Sequence, residues 1–172
     1  TGGEKSLTNQ KLSMIELNLL LEYKSRIEVQ VYKEQKDFDF VWNMYIELLE
    51  YVELSCCNEF VKVKIYPKIV FYMYDSVKSY LEMEQIQQKE VYLKEMWKKV
   101  NHAISMLRNQ EKTYYLIELL DSKIYLMEKL ESYFRKIGRY NQQAWNALKQ
   151  KTKDWKETLK SLYEESIRKK IY

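Results

Sequence analysis

Apolar residues recur along this chain at alternating steps of three and four positions, which is the spacing of one face of an α-helix. The pattern predicts a first helix from Thr8 or Ser13 to about Lys33, and Asp37 is placed to cap the next one. Four stripes then follow: Phe38, Val41, Tyr45, Leu48 and Val52; Ile69, Met73, Val77 and Leu81; Leu93, Trp97, Val100, Ile104 and Leu107; Ile117, Leu120, Ile124, Met127, Phe134 and Ile137.

Interruptions of the pattern predict where helices end. Pro67 lacks a backbone N–H and clashes with a preceding helical turn, so we expect a helix boundary at Tyr66–Pro67 and a new helix after it. The polar residues Gln85 to Lys89 either form a loop or lie on a long helix that crosses solvent. A weaker interruption falls at Arg108 to Lys112. Gly138 is placed to end the penultimate helix, because glycine tolerates a left-handed conformation.

The last predicted helix, Tyr140 to Ile171, carries two rows of residues. One is an apolar seam and the other is a basic row stepping by four, three and four positions. The seam consists of Trp145, Leu148, Thr152, Trp155, Leu159 and Leu162, and the basic row of Lys149, Lys153, Lys156 and Lys160. The seam indicates packing, whereas the basic row indicates either a solvated face or a surface that binds an acidic partner.

Composition agrees with helices throughout. Three glycines and one proline in 172 residues are too few for a protein rich in strands and tight turns. We therefore predict an all-α fold, a bundle of about five or six helices, several of them long, with antiparallel packing. Residues 8–172 are expected to form a single domain, and residues 1–7 to be a cloning remnant or disordered tail.

The positive charge is concentrated at the end of the chain. From Arg139 onward there are nine Lys or Arg and four Asp or Glu, whereas the preceding part is almost neutral. Lys outnumbers Arg by 24 to 5, which fits an AT-rich genome. Because few arginines are available to read DNA or RNA bases, nucleic acid is not expected as a partner. An acidic protein segment is favoured, and an anionic membrane surface is an alternative limited to peripheral contact. No apolar run has the roughly 18 residues of a membrane span.

No catalytic, cofactor or metal site is predicted. His102 has no neighbouring ligands in the sequence, and the adjacent Cys56 and Cys57 are read as inert helix residues. Carboxylate pairs such as Glu47 and Glu50 have no partner base, so an enzyme is not expected. The tryptophans at seam positions are predicted to be structural anchors: Trp42, Trp97, Trp145 and Trp155.

The order of these aromatic marks resembles a known family. They are Trp42, Tyr66-Pro67, Trp97, Tyr133-Phe134, and the spaced pair Trp145 and Trp155. Together with the AT-rich composition, they resemble the PHIST (PRESAN-domain) exported proteins of malaria parasites, over about Phe38 to Leu162. No Arg-x-Leu export motif occurs in the sequence.

The resemblance implies a helical, non-enzymatic adaptor that is exported into the cytoplasm or membrane periphery of the infected red cell. Such proteins bind the acidic cytoplasmic segment of variant surface adhesins or components of the host membrane skeleton. Two alternatives remain open. One is a structural or surface-antigen protein that self-associates, for example through the apolar residues Leu12 to Leu21. The other is peripheral membrane binding through the basic last helix.

Overall fold

The computed structural model describes residues 38–55, 59–82, 88–108, 113–138 and 140–171. This part of the chain is 94% helical, contains no strand, and confirms the all-α bundle. Its five helices are α1 (Phe38–Ser55), α2 (Glu59–Leu81), α3 (Lys89–Leu107), α4 (Thr113–Lys136) and α5 (Gln142–Ile171). The predicted first helix, the Asp37 cap, both cysteines and most of Gln85 to Lys89 lie outside the described residues.

The chain divides into two compact units, Thr1–Tyr80 and Leu81–Tyr172. Helix α1, and α2 up to Tyr80, form the described part of the first unit; the end of α2 at Leu81, with α3, α4 and α5, belongs to the second. The single domain over residues 8–172, with a tail over residues 1–7, stays a prediction.

The first unit confirms the predicted apolar stripes. The stripe on α1 is buried along its whole length, and so is the stripe on α2; Trp42 is buried too. The ring of Phe38 contacts the rings of Trp42 and Tyr80, at 5.7 and 5.9 Å between centroids. The hydroxyls of Tyr45 and Ser76 lie 3.1 Å apart and join α1 to α2. Apolar packing is therefore supplemented by a polar link between the two helices.

The predicted helix boundary at Tyr66–Pro67 is wrong, because α2 continues through Pro67 without interruption. Proline inside a helix costs about 3 kcal/mol. Burial of one large apolar side chain returns roughly 1.5–3 kcal/mol, and Ile65, Ile69 and Val70 are all buried around this position. Packing of this stretch therefore outweighs the local penalty. Burial, helped by the charge of Glu53, also raises the pKa of Tyr66 to about 12.

In the second unit, α3 and α5 both pack along α4. The α3 stripe is buried apart from the half-buried Trp97, and the α4 stripe is buried at its centre. Helix α4 ends where expected: Gly138 has a left-handed φ of 69°, and its amide donates to the carbonyl oxygen of Arg135. The side chain of Asn141 then accepts a hydrogen bond from the amide of Ala144 and caps α5. This tight connection makes α4 and α5 antiparallel neighbours.

Candidate functional site

The predicted seam of α5 is only partly covered. Thr152 is buried and its hydroxyl donates to the carbonyl oxygen of Leu148 at 2.8 Å. Trp145, Trp155 and Leu159 are half-buried. Leu148 is 36% exposed and Leu162 is 56% exposed. The seam therefore packs mainly around Thr152 and leaves apolar surface toward its distal end, where residues 164–170 are all exposed.

Two lysines of the basic row bind carboxylates of α4. The ammonium group of Lys156 donates to Asp121 at 2.7 Å. That of Lys149 lies 3.6 Å from Glu131 and 3.7 Å from Glu128. Both side chains are about one-fifth exposed, at 22% for Lys156 and 20% for Lys149. These two lysines therefore hold α5 against α4.

The hydrogen bond from Lys156 to Asp121 raises the pKa of the lysine above its ordinary value, although partial burial opposes this shift. The nearby carboxylates of Glu157 and Glu118 act in the same direction as Asp121. The ammonium form of Lys156 is thus stabilised by the fold itself, without any external partner.

The other two lysines of the row differ. Lys153 is half-buried, Lys160 is exposed, and neither makes an ion pair with any residue in the described part of the chain. The sequence spacing places all four lysines in one row beside the seam. Among the described residues, two lysines of the row have carboxylate partners and two do not.

A polar cluster at the α4–α5 turn was not found from the sequence. Glu131 accepts hydrogen bonds from Tyr140 and, at 3.0 Å, from Arg135, and it faces Lys149. The hydrogen bond from Tyr140 is the largest cause that lowers the pKa of Glu131, and the charges of Lys149 and Arg135 add to it. The signal available in the sequence was the spacing of Asp121, Glu128 and Glu131, which lie within one helical face.

Three of the four predicted anchors lie in the second unit, where they connect α3 with α5. Trp97 and Trp145 lie 5.9 Å apart between ring centroids, and Phe134 lies 5.6 Å from Trp145. The indole nitrogens of Trp97 and Trp145 are buried and have no hydrogen-bond acceptor among the described residues. Trp155 faces the guanidinium group of Arg108 at 5.3 Å.

The remaining candidate residues that the structure describes are not brought into a site. His102 is exposed, and its carbonyl oxygen accepts a hydrogen bond from the Ser105 hydroxyl at 2.6 Å. Within the described ranges, no three His, Cys, Asp or Glu side chains are arranged to hold a metal ion. The same residues include no helix with the length and apolar character needed to cross a bilayer.

Comparison with known proteins assigns neither a family nor a function to this chain. No protein-family model, no curated protein and no solved structure matches this chain. The resemblance to the PHIST family therefore stays a prediction based on the spaced aromatic residues.

Proposed function

We propose that this protein is a non-enzymatic adaptor that binds an acidic protein segment through its last helix. In the setting that the PHIST resemblance implies, the protein acts after export into the infected red cell. Its partner there is the cytoplasmic segment of a variant surface adhesin or a protein of the membrane skeleton. The observation that carries the proposal is that two lysines of the basic row, Lys153 and Lys160, make no ion pair with the described residues.

The charge balance of α5 supports this proposal. The helix carries eight Lys or Arg and four Asp or Glu. Two of those cations, Lys149 and Lys156, are held by carboxylates of α4. Lys153 and Lys160 retain their field toward solvent, which attracts acidic chains over several ångströms and does not require a fixed geometry. A flexible acidic segment fits such a surface, because it can adjust to the spacing of the charges.

The test is a titration of a synthetic Glu-rich peptide against the protein and its Lys153→Glu/Lys160→Glu variant. We expect the variant to bind at least about fivefold more weakly at low salt, because two attractive charges become repulsive. At about 1 M salt, where the screening length is near 3 Å, the difference between the two proteins should disappear.

Lys98→Glu is the control, since Lys98 is an exposed lysine on α3 whose ion pair among the described residues is with its neighbour Glu95. Lys98→Glu reverses one charge and the test variant reverses two, so a loss of half as much binding free energy in the control would reduce the effect to net charge and contradict a site on α5. Binding to anionic vesicles with no binding to the peptide would instead assign the basic helix to a membrane surface.

The distal apolar surface of α5 favours a second candidate function, self-association as a structural or surface-antigen protein. Leu162 is 56% exposed and Ile167 is 41% exposed, on a segment whose other residues are charged or polar. Light scattering should then give twice the monomer mass, and Leu162→Glu should return it to the monomer. A monomeric wild type at all concentrations tested would exclude this candidate.

A further inference from the structure

In the second unit, Arg108 contacts the indole of Trp155, and its charge also acts on Lys123. Arg108 follows directly after α3, Lys123 lies in the middle of α4, and Trp155 lies in the middle of α5. The guanidinium carbon of Arg108 is 5.3 Å from the centroid of the Trp155 ring. We refer to Arg108, Lys123 and Trp155 as the Arg108 site. This site does not overlap the four lysines of the basic row.

Lys123 is placed where a cation is disfavoured. Its side chain is half-buried, and burial lowers its pKa, with a further contribution from the charge of Arg108. Neither cation makes an ion pair with a residue in the described ranges. Other cations of the same unit, such as Arg135 and Lys149, do have carboxylate partners. The half-buried Lys123, and the Arg108 whose charge acts on it, therefore have no carboxylate partner among the described residues.

Binding of an external anion would lower the electrostatic energy of Lys123 and Arg108. A partly desolvated ammonium group regains a partner, and the repulsion between the two cations is reduced. The ring of Trp155 restricts Arg108 to one orientation through a cation–π contact. The guanidinium group keeps donors at its edge for a carboxylate, which it can bind through two parallel hydrogen bonds. A cation whose pKa is shifted by burial and by a neighbouring charge, as for Lys123, is one mark of a functional site.

We propose that the Arg108 site binds a carboxylate side chain of an acidic peptide. This inference rests on the proposed function, and it names where the acidic partner is anchored. A glutamate side chain fits this site by its charge and shape. Its carboxylate complements the cations Arg108 and Lys123, and its methylene groups can lie against the ring of Trp155. In this arrangement the basic row attracts the acidic segment, and the Arg108 site fixes one of its residues.

The experiment measures binding of the Glu-rich peptide to Arg108→Gln and Lys123→Met, with Lys151→Gln as the matched control. Lys151 is an exposed lysine of α5 that makes no ion pair with the described residues. We expect about tenfold weaker binding in each site variant, as for loss of one charge-assisted hydrogen bond. Lys151→Gln should stay within about twofold of the wild type. In the wild type, the indole N–H resonance of Trp155 should shift on titration with the peptide.

The outcomes separate this inference from the function on which it rests. If the peptide binds and only Lys153→Glu/Lys160→Glu weakens it, the adaptor function stands and the Arg108 site is refuted. If no peptide binds, both the adaptor function and the Arg108 site are refuted. A Trp155 shift caused by inorganic phosphate but not by the peptide would overturn the assignment to an acidic peptide. Thermal unfolding of Lys123→Met shows that the variant is folded, and it should be at least as stable as the wild type.

Discussion

The two flanks of α5 hold cations in opposite ways. On one flank, Lys149 and Lys156 meet carboxylates of α4 at distances of 2.7–3.7 Å. On the other, Trp155 meets Arg108, whose charge also acts on Lys123, and neither cation has an acidic partner among the described residues. Trp155 and Lys156 are adjacent in sequence, so a rotation of about 100° around the helix separates the two environments. Cations of one helix bundle therefore differ in role according to the charges opposite them, and not according to residue type.

The largest expected effect on the paired flank comes from Glu131→Ala. This substitution removes the acceptor shared by Tyr140, Arg135 and Lys149, and we expect it to lower the free energy of unfolding by about 2 kcal/mol. Urea unfolding at neutral pH measures the loss. Because the folded-state pKa of Glu131 lies below its ordinary value, its contribution is complete above that ordinary value and is lost as the pH falls through the folded-state pKa.

Glu128→Ala is the control for this comparison. Glu128 is half exposed and lies 3.7 Å from the same lysine, so its loss should cost less than about 1 kcal/mol. Equal losses in the two variants would mean that the hydrogen bonds to Glu131 add nothing beyond the surface charge.

On the unpaired flank, Lys123→Met should change stability in the opposite direction. Replacing a half-buried, unpartnered cation with an apolar side chain of similar length should raise the free energy of unfolding by up to about 1 kcal/mol. The pKa of Lys123 is lower in the folded than in the unfolded chain, so the wild type gains stability as the pH rises from the folded-state pKa toward 10.5. The difference in the free energy of unfolding between Lys123→Met and the wild type should therefore decrease as the pH rises from the folded-state pKa of Lys123 toward 10.5. A destabilised variant would show that Lys123 has a compensating partner.

The smallest effect is expected for the ion pair of Lys156 and Asp121. A double-mutant cycle with Lys156→Met and Asp121→Asn should give a coupling of about 0.5 kcal/mol, since both side chains are partly exposed. Its pH dependence has the opposite sign to that of Lys123. The folded-state pKa of Lys156 is raised, so its contribution is complete below the ordinary value of 10.5 and is lost as the pH rises through the raised pKa. Zero coupling would show that the pair forms without stabilising the fold.

Much of the fold could be predicted from the sequence because it depends on local periodicity. The α1 stripe from Phe38 to Val52 is buried as predicted, and Gly138 ends α4 in the left-handed conformation. The predicted helix boundary at Pro67 was wrong because it considered only that proline is disfavoured inside a helix. Packing of the buried face of α2 stabilises the helix through Pro67. Burial of that face depends on residues distant in sequence, which a local rule does not consider.

The candidate site was harder to predict because its charges belong to different helices. The sequence shows that α5 is basic, and its regular spacing made four lysines appear equivalent. Their division depends on which residues of α4 lie opposite: Asp121 and Glu131 meet two of them. The proximity of Arg108 to Trp155 likewise depends on how α3 and α5 pack on α4, and nothing in the spacing of either residue predicts it.

The pair formed by Trp97 and Trp145 also gives this protein an internal optical reporter. Two indoles 5.9 Å apart and tilted by 40° couple electronically, so they should produce a distinct near-ultraviolet circular dichroism signal. Their buried N–H groups should exchange slowly with deuterated solvent. One ring is contributed by α3 and the other by α5. Loss of the coupled signal during a titration would therefore report that these helices separate, independently of any change at Trp155.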